Sequence, residues 1–311
     1  MRHSGRKMYF IYNPHAGMER IRSNLLDIID IFAKAGFEVT VFPTQEPGDA
    51  TEATANMKDG YDILACSGGD GTLDEVVAGM MKREKRIPIG YVPAGSTNDF
   101  ARTLGIPRDM RKAAEVITGG QEFKCDMGSF NDKTFVYVAA FGLFTDVSYD
   151  TEQDLKNTFG HLAYLIEALS RIGQVKSYHM KVEHDGITEE DEYVYGMISN
   201  SLSVAGVRSL ARADVILDDG FFEVTLIKMP QDPLSFGEIA AAVVSGESND
   251  FVRFFKTDKV TFSSKEAYAW TLDGEFGGEH KKVILENQHR SIAIMVPQDS
   301  DIPRLPETGK E

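Results

Sequence analysis

Apolar residues in the first third of the chain fall into short runs that alternate with stretches of helical spacing. The runs of strand length cover Lys7–Tyr12, Phe37–Phe42, Tyr61–Cys66 and Ile87–Val92. Between them, apolar residues recur every three or four positions over 21–32 and Leu73–Met81, with a weaker pattern over Ala50–Met57. This alternation of strand and helix predicts a parallel sheet with helices on both faces.

The pattern changes after about Gly128, where apolar runs of strand length dominate. They cover Phe135–Ala140, His179–His184, Tyr193–Ser199, Phe221–Met229, Lys259–Phe262, Ala269–Leu272, Val283–Glu286 and Ile292–Val296. Asp-Gly pairs separate several of these runs, as turn signals do. Helical spacing interrupts them at His161–Ile172 and Leu234–Val244. The second part of the chain therefore predicts an antiparallel β-sandwich.

Glycine-bearing turns follow three of the early strands, at residues 13–17, 68–72 and 93–97. Parallel sheets bind ligands at the carboxyl ends of their strands. We therefore expect these three turns to gather at one edge of the sheet.

The turn at 68–72 reads Gly-Gly-Asp-Gly-Thr and lies between a strand and an amphipathic helix. Glycines let backbone N–H groups crowd together, which favours an anion site at a helix start. Asp70 adds a carboxylate that a phosphate-bound Mg²⁺ can reach directly or through water. The turn predicts a nucleotide phosphate site and phosphoryl transfer; the alternative is a tight turn that binds nothing.

The turn that follows the next strand carries hydroxyls, an amide, a carboxylate and a guanidinium within Gly95–Arg102. Hydroxyl and N–H groups suit phosphate oxygens, and Asp99 could join Asp70 around a metal ion. The alternative is that Ser96, Thr97 or Asp99 caps a helix that runs toward Leu104. Both interpretations can hold together, because a helix start is itself an anion site.

Composition narrows the class of protein further. Apolar residues make up 42% of the 311 residues, enough for two domains with cores, and no apolar run is long enough to span a membrane. A net charge of −15 argues against nucleic acid as a partner and against strong overall attraction to anionic lipid. The basic N-terminus lacks an apolar secretory segment, so we expect a reduced, cytoplasmic protein in which Cys66 and Cys125 stay free.

The motifs form an ordered set that begins with Asn13-Pro14 and Gly17 and continues through 68–72 and 95–102. This set resembles the catalytic domain of diacylglycerol and sphingosine kinases, and most closely that of the soluble bacterial diacylglycerol kinases. The resemblance extends through Asp126, 217–222 and 273–278, so it covers nearly the whole chain. The 68–72 motif alone is shared with NAD kinases and phosphofructokinases.

The resemblance implies an α/β plus all-β fold. Residues 1–127 would form a three-layer α/β/α nucleotide-binding domain like that of NAD kinase, to which residues 297–311 return. Residues 128–296 would form an antiparallel β-sandwich that binds the lipid substrate, with ATP between the two domains.

The resemblance also assigns roles by position. Three carboxylates, Asp70, Asp99 and Asp126, would hold the catalytic Mg²⁺ partly through water, although Asp126 taken alone reads as a solvated charge at a strand end. Residues for ATP binding would be Asn13, Pro14, Gly17, Thr44, Gly68, Gly69, Asp70, Gly71, Thr72, Glu75 and Thr97. A structural Mg²⁺ would bind Asp219 and the carbonyl groups of Ile216 and Phe221; the alternative is an ordinary turn.

Asp273 is the predicted general base, because a carboxylate after an apolar strand can accept the proton of a lipid hydroxyl. Glu275 would lie on the same strand face if the strand persists, and would orient Asp273 or contact the acceptor. The alternative for Asp273 is a plain Asp-Gly hairpin turn, as we expect at Asp185-Gly186.

The predicted function is an ATP- and Mg²⁺-dependent lipid kinase that converts diacylglycerol to phosphatidic acid. It would associate peripherally with the inner face of the membrane, with Arg20 and Arg102 as lipid contacts, and could form a homodimer. The helix predicted at 161–172 fits a core position better than membrane docking. Alternatives are a kinase of another lipid alcohol, such as a sphingoid base or ceramide, an NAD kinase, or a nucleotide-binding regulatory protein without catalysis.

Overall fold

The computed structural model describes residues 5–17, 20–142, 176–201, 215–230 and 232–303. The chain divides into two compact units. The first consists of residues 1–127, 216–219 and 289–311, and the second of residues 128–215 and 220–288. The helix predicted at 161–172 lies outside the described residues.

Helices and strands alternate up to residue 119, and strands dominate afterwards. The described helices are α1 (Arg20–Lys34), α2 (Asp49–Ala55), α3 (Asp70–Met81), α4 (Asp99–Thr103), α5 (Met110–Gly119) and α6 (Pro233–Ser245). The described strands are β1 (Arg6–Tyr12), β2 (Phe37–Pro43), β3 (Ile63–Gly68), β4 (Ile89–Pro93), β5 (Gln121–Phe130), β6 (Lys133–Phe135), β7 (Val138–Gly142), β8 (Tyr178–His184), β9 (Ile187–Ser199), β10 (Phe222–Lys228), β11 (Val252–Thr257), β12 (Lys259–Leu272) and β13 (Glu275–Val296).

The first unit is built on parallel strands in the order β2-β1-β3-β4, and the end of β13 pairs in parallel with β4. Every residue of β3 and β4 is buried, as expected for strands covered on both faces. Ile21, Ile28 and Phe32 form the buried stripe of α1, at the spacing seen in the sequence. Helix α1 packs with α5, and α2 packs with α3.

The register of these strands decides where the loops leave the sheet. Tyr12 lies opposite both Pro43 and Ser67, and Gly68 lies opposite Pro93. The four strands therefore end at the same level, and this confirms that the turns at 13–17, 68–72 and 93–97 gather at one edge.

Eight described strand pairs of the second unit are antiparallel, as the sequence predicted. Strands β11-β10-β9-β7-β12-β13 follow one another, and β8 pairs with both β9 and β12. Aromatic side chains form the centre of the core: Trp270 lies 4.8 Å from Phe141 and 5.2 Å from Phe262 between ring centroids. The two-sheet packing of a sandwich stays a prediction.

Several predicted boundaries are wrong. Strands predicted as separate runs merge into β12 and β13. The pairing of β12 with β13 stops at Ser263 and resumes at Tyr268 with a shift of register. The run Phe135–Ala140 is instead broken between β6 and β7. The elements α5 and β11 were not predicted, whereas Asp126 was expected at the end of a strand and lies within β5.

Candidate active site

The loops after β1 and β2 are tied to neighbouring strand ends. The backbone N–H of Asn13 donates to the carbonyl oxygen of Ser67, and the backbone N–H of Thr44 donates to that of Tyr12. The donor–acceptor distance is 2.9 Å in both bonds. The Asn13 side chain accepts the N–H of His15 at 2.9 Å, which tightens the turn that contains Pro14. Gly17 closes this turn with φ +56°, a conformation that favours glycine.

Close packing requires a glycine at position 68 and at position 95. A Cβ on Gly68 would collide with the side chain of Thr72, and a Cβ on Gly95 would lie 2.7 Å from the Cα of Gly69. Gly69 has φ −81° and ψ −174°, so it is extended and not left-handed. The glycines thus let the two loops touch. Helix α3 begins at Asp70, and the first N–H groups of a helix lack partners within it, as an anion site needs.

Asp70 is held by the start of α4. Its carboxylate accepts backbone N–H groups of Asp99, Phe100 and Asn98. Burial raises the pKa of Asp70, the N–H donors oppose this rise, and the negative charge of Asp99 adds to it.

The predicted cap of α4 is wrong. Its N-cap is Asn98, whose side chain makes no capping bond, and Ser96, Thr97 and Asp99 do not cap it. The helix has only five residues, and the anion at its start is the Asp70 carboxylate.

The far side of this loop carries a cluster of charges. Asp99 is buried, and its carboxylate lies 3.6 Å from the guanidinium of Arg102. Arg102 and Arg108 donate to the carbonyl oxygen of the exposed Thr97, at 3.5 and 3.4 Å. Arg20 is the first residue of α1, and its side chain lies outside the described part. The lipid-contact role of both arginines stays a prediction.

The acidic groups fit a Mg²⁺ ion at Asp70 and Asp99. The Oδ1 atom of Asp70 is buried and has no hydrogen-bond partner among the described residues. Mg²⁺ usually takes one or two protein carboxylates and keeps several waters. Over the described ranges, no three His, Cys, Asp or Glu side chains converge into a group that could hold a metal ion.

Asp126 is bound in a different cluster. It is fully buried, so its alternative interpretation as a solvated charge is wrong. Its carboxylate accepts the backbone N–H of Arg290 at 2.6 Å, and the Arg290 guanidinium donates to Asp218 at 2.7 Å. An indirect role of Asp126 in the metal network stays a prediction.

Glu75 caps a neighbouring helix. Its two carboxylate oxygens accept the N–H groups of Gly48 and Ala50, at 2.9 and 3.1 Å, at the start of α2. The N-cap residue Gly48 has no side chain, so Glu75 supplies the acceptor that α2 lacks. This contact also fixes the loop that begins at Thr44.

Asp273 and Gly274 form the two-residue turn between β12 and β13. Their φ angles are +52° and +90°, close to the +47° and +76° of Asp185 and Gly186. The backbone therefore matches the hairpin alternative. The condition for Glu275 to share a strand face with Asp273 is not met, because Leu272 pairs with Glu275 across the turn. Glu275 is exposed at the start of β13 and does not share a strand face with Asp273.

The side chain of Asp273 separates it from Asp185. Its carboxylate accepts three backbone N–H groups, from Val136 at 2.7 Å, Tyr137 at 2.9 Å and Val138 at 3.0 Å. The Tyr137 hydroxyl donates to the Asp273 carbonyl oxygen at 3.0 Å. These bonds turn the chain between β6 and β7. Asp185 instead contacts the adjacent ring of His184 at 2.9 Å.

The predicted ligands of a structural Mg²⁺ are divided between the units. Ile216 and Asp219 belong to the first unit and Phe221 to the second, with Gly220 in a turn at φ +84°. This site stays a prediction.

Sequence reasoning missed one polar residue beside the Asp70 loop, Tyr91. The buried Tyr91 hydroxyl contacts the carbonyl oxygen of Gly68 and the side chain of Asn98. The available clue was a tyrosine in an otherwise apolar strand, directly ahead of a glycine loop.

The chain is similar to known diacylglycerol kinases. A family model described as the diacylglycerol kinase catalytic domain matches residues 7–130. A diacylglycerol kinase of Staphylococcus carnosus (strain TM300) is 35% identical over 292 residues, which cover 93% of this chain and 94% of that protein. A diacylglycerol kinase of Staphylococcus aureus (strain MRSA252) is 36% identical over 293 residues, which cover 93% and 92%.

A solved structure has the same fold. The crystal structure of a diacylglycerol kinase from Bacillus anthracis (strain Sterne) superposes with a TM-score of 0.72 at 24% sequence identity. The superposition covers 93% of this chain and 96% of that one. It therefore extends over both parts of the sequence pattern, the alternating one and the strand-rich one.

Proposed function

The chain belongs to the diacylglycerol kinase family, and on this premise we propose that it transfers the γ-phosphoryl group of ATP to the primary hydroxyl of diacylglycerol. The products are phosphatidic acid and ADP. The observation that carries the proposal within the first unit is the alignment of four strand ends, which brings the loops after β1, β2, β3 and β4 to one edge.

ATP binds at this edge in the proposal. The N–H groups at the start of α3 suit its phosphate oxygens. The residues that we assign to the nucleotide are Asn13, Pro14, Gly17, Thr44, Gly68, Gly69, Asp70, Gly71, Thr72 and Thr97. Glu75 acts through the loop at 44–48, because its carboxylate accepts the N–H group of Gly48.

Mg²⁺ is part of the proposal because Asp70 Oδ1 is a buried oxygen without a hydrogen-bond partner in the described part of the chain. Asp70 and Asp99 would hold the ion, with Asp126 acting indirectly. When bound, Mg²⁺ neutralises negative charge on the transferred phosphoryl group.

Asp273 is the proposed general base. As the hydroxyl oxygen of diacylglycerol bonds to the γ-phosphorus, its proton moves to the Asp273 carboxylate and the bond to ADP breaks. The three backbone N–H donors fix the orientation of this carboxylate. Glu275 is exposed two residues further and is assigned a contact with the acceptor at most.

The site of action is proposed to be the inner membrane face, to which the protein associates peripherally. Over the described ranges, no helix combines the length and apolar character that a membrane span needs. Arg20 and Arg102 are the proposed lipid contacts.

The test is an assay with γ-labelled ATP on dispersed diacylglycerol, a sphingoid base, ceramide and NAD, offered separately. We expect label in phosphatidic acid and in none of the other products. Label in NADP or in another lipid alone would overturn the proposal, and so would the absence of transfer to any acceptor.

A further inference from the structure

Tyr91 lies beneath the two glycine loops. It is fully buried in β4, and its hydroxyl lies 3.1 Å from the carbonyl oxygen of Gly68 and 3.3 Å from Oδ1 of Asn98. Both neighbours are acceptors, so the single proton of the hydroxyl serves two oxygens that belong to different loops.

Asn98 holds the second loop in a strained conformation. Its φ and ψ angles are +50° and +53°, in the left-handed region that asparagine tolerates better than most residues. Its side chain accepts the N–H of Gly95 at 3.0 Å and donates to the carbonyl oxygen of Gly95 at 2.7 Å. The same side chain that receives the Tyr91 hydroxyl thus closes the loop over Gly95.

The two loops are also in backbone contact. Ala94 donates its N–H to the carbonyl oxygen of Gly68 at 2.7 Å. The missing Cβ at Gly95 leaves only enough room for the backbone of Gly69. Asp70 adds its bonds to the start of α4. Loops 68–72 and 94–98 therefore form one connected structure, with Tyr91 and Asn98 at its base.

We propose that Tyr91, acting through Asn98, is a positioning residue for the phosphates of ATP. The inference rests on the proposed function, which assigns these two loops to ATP. Backbone N–H groups bind an anion well only when they are fixed before it arrives. The Tyr91 hydroxyl supplies this order from below, without touching the nucleotide.

The test compares Tyr91→Phe with Tyr193→Phe. Tyr193 is equally buried, and its hydroxyl has no hydrogen-bond partner in the described part of the chain. Tyr91→Phe should raise KM for ATP about three- to tenfold, as the loss of one buried hydrogen bond predicts. Its kcat at saturating ATP should stay near the wild-type value, and Tyr193→Phe should change neither constant.

Calorimetric titration of the wild type and of each variant with Mg·ATP measures the affinity for the nucleotide without the transfer reaction. This measurement separates the inference from the proposed function. A wild type that binds Mg·ATP without phosphorylating diacylglycerol contradicts the proposed function. In that case, the role of Tyr91 is still tested by comparing the Mg·ATP affinity of Tyr91→Phe with that of the wild type. A Tyr91→Phe protein with wild-type affinity for Mg·ATP overturns the inference. Equal weakening in Tyr193→Phe overturns it as well.

Asn98→Gly provides the second variant, because glycine accepts the left-handed backbone and removes only the side chain. We expect it to weaken Mg·ATP binding, and the double variant with Tyr91→Phe to lose less than the product of the two single losses. Multiplicative losses would overturn the link through Asn98. If Tyr91→Phe does not fold, the affinity of Asn98→Gly for Mg·ATP tests the proposal by itself. An affinity equal to that of the wild type contradicts the proposal.

Discussion

Asp273 combines two properties that are usually found in different residues. It occupies a tight hairpin turn, and its carboxylate organises a neighbouring segment through the N–H groups of Val136, Tyr137 and Val138. A carboxylate offers about four lone-pair directions, so these donors define where the group points. A substitution at this position therefore tests both the base and the turn, and the two effects must be measured separately.

Replacement of Asp273 by asparagine should reduce kcat by about 10²- to 10⁴-fold, because the amide cannot accept the proton. Mg·ATP should still bind. The measurement is steady-state kinetics together with the thermal unfolding midpoint.

Asp185→Asn is the matched control, since Asp185 occupies the same type of turn in the same unit. It should leave kcat unchanged. Wild-type turnover in Asp273→Asn, or an activity loss that follows the unfolded fraction, would remove Asp273 from the chemistry.

Asp70→Asn should separate stability from activity. Burial and the charge of Asp99 raise the pKa of Asp70, so ionisation costs stability in the folded state. Stability therefore falls as the pH rises from the ordinary value of 3.8 through the raised pKa, and the full cost is reached above that raised pKa. Asparagine keeps an acceptor for the α4 N–H groups without this charge. The unfolding midpoint at pH 7 should equal or exceed that of wild type, while activity falls at least about tenfold.

Asp109→Asn is the control with the opposite sign. Hydrogen bonds from Lys112 and Arg111 hold the pKa of Asp109 below its ordinary value. Its stabilising contribution is present at neutral pH and is lost as the pH falls through the lowered pKa. This variant should have a lower unfolding midpoint and normal kinetics. A lower midpoint in Asp70→Asn would contradict the argument that ionisation of Asp70 costs stability in the folded state.

Residue types at the site were predictable, but their partners were not. Asp70 and Asp99 were identified because acidic groups in glycine loops after strands suggest phosphate chemistry. That Asp70 caps α4, or that Tyr91 supports two loops, depends on which loops touch. This proximity is set by the parallel register, which a single sequence does not specify.

At the scale of elements, α2 and α3 meet at a glycine. A Cβ on Gly79 would lie 2.5 Å from the carbonyl oxygen of Thr51 and 2.6 Å from Cβ of Thr54. Gly79→Ala should therefore push the helices apart and lower the free energy of unfolding by about 1–3 kcal/mol. Chemical denaturation measures this change.

Gly237→Ala in α6 is the matched control, because a Cβ there meets nothing within 4 Å. Alanine should stabilise this helix by about 0.5–1 kcal/mol through its better helix propensity. Equal stability changes in the two variants would contradict the packing argument.

Strand and helix assignments succeeded where periodicity was strong, as in α1, β1 and β3. They failed for α5, although Asp109 as N-cap and the buried Ala113, Ala114 and Ile117 supply a start signal and a face. They also divided β13 at its polar residues, since a stretch of strand without a buried face loses its alternating pattern.

At the scale of the whole molecule, the net charge of −15 opposes binding of the protein to anionic lipid surfaces. On vesicles that contain diacylglycerol, we expect lower activity with anionic than with neutral lipid at low salt, because like charges repel. The difference should shrink as salt rises, since the screening length falls from about 10 Å at 0.1 M to about 3 Å at 1 M. Vesicle flotation and initial rates measure it. Activity on anionic vesicles that is highest at low salt would instead indicate a dominant basic patch.

The division between an alternating part and a strand-rich part was visible in the sequence. The return of later segments to the first unit was not, because nothing in residues 216–219 or 289–296 distinguishes them from other strand or turn segments. The resemblance to a family supplied the idea of a return, which periodicity alone would not have suggested.

Strand β13 has a consequence for anyone who wishes to study the first unit by itself. A gene fragment that stops after residue 130, where the family model ends, would encode β4 without the parallel neighbour that Ile294 brings to Ile89. It would also lack the acceptors that Pro297 and Gln298 offer to Gln121. The unpaired edge of β4 would be open to other chains, so such a fragment should aggregate during expression.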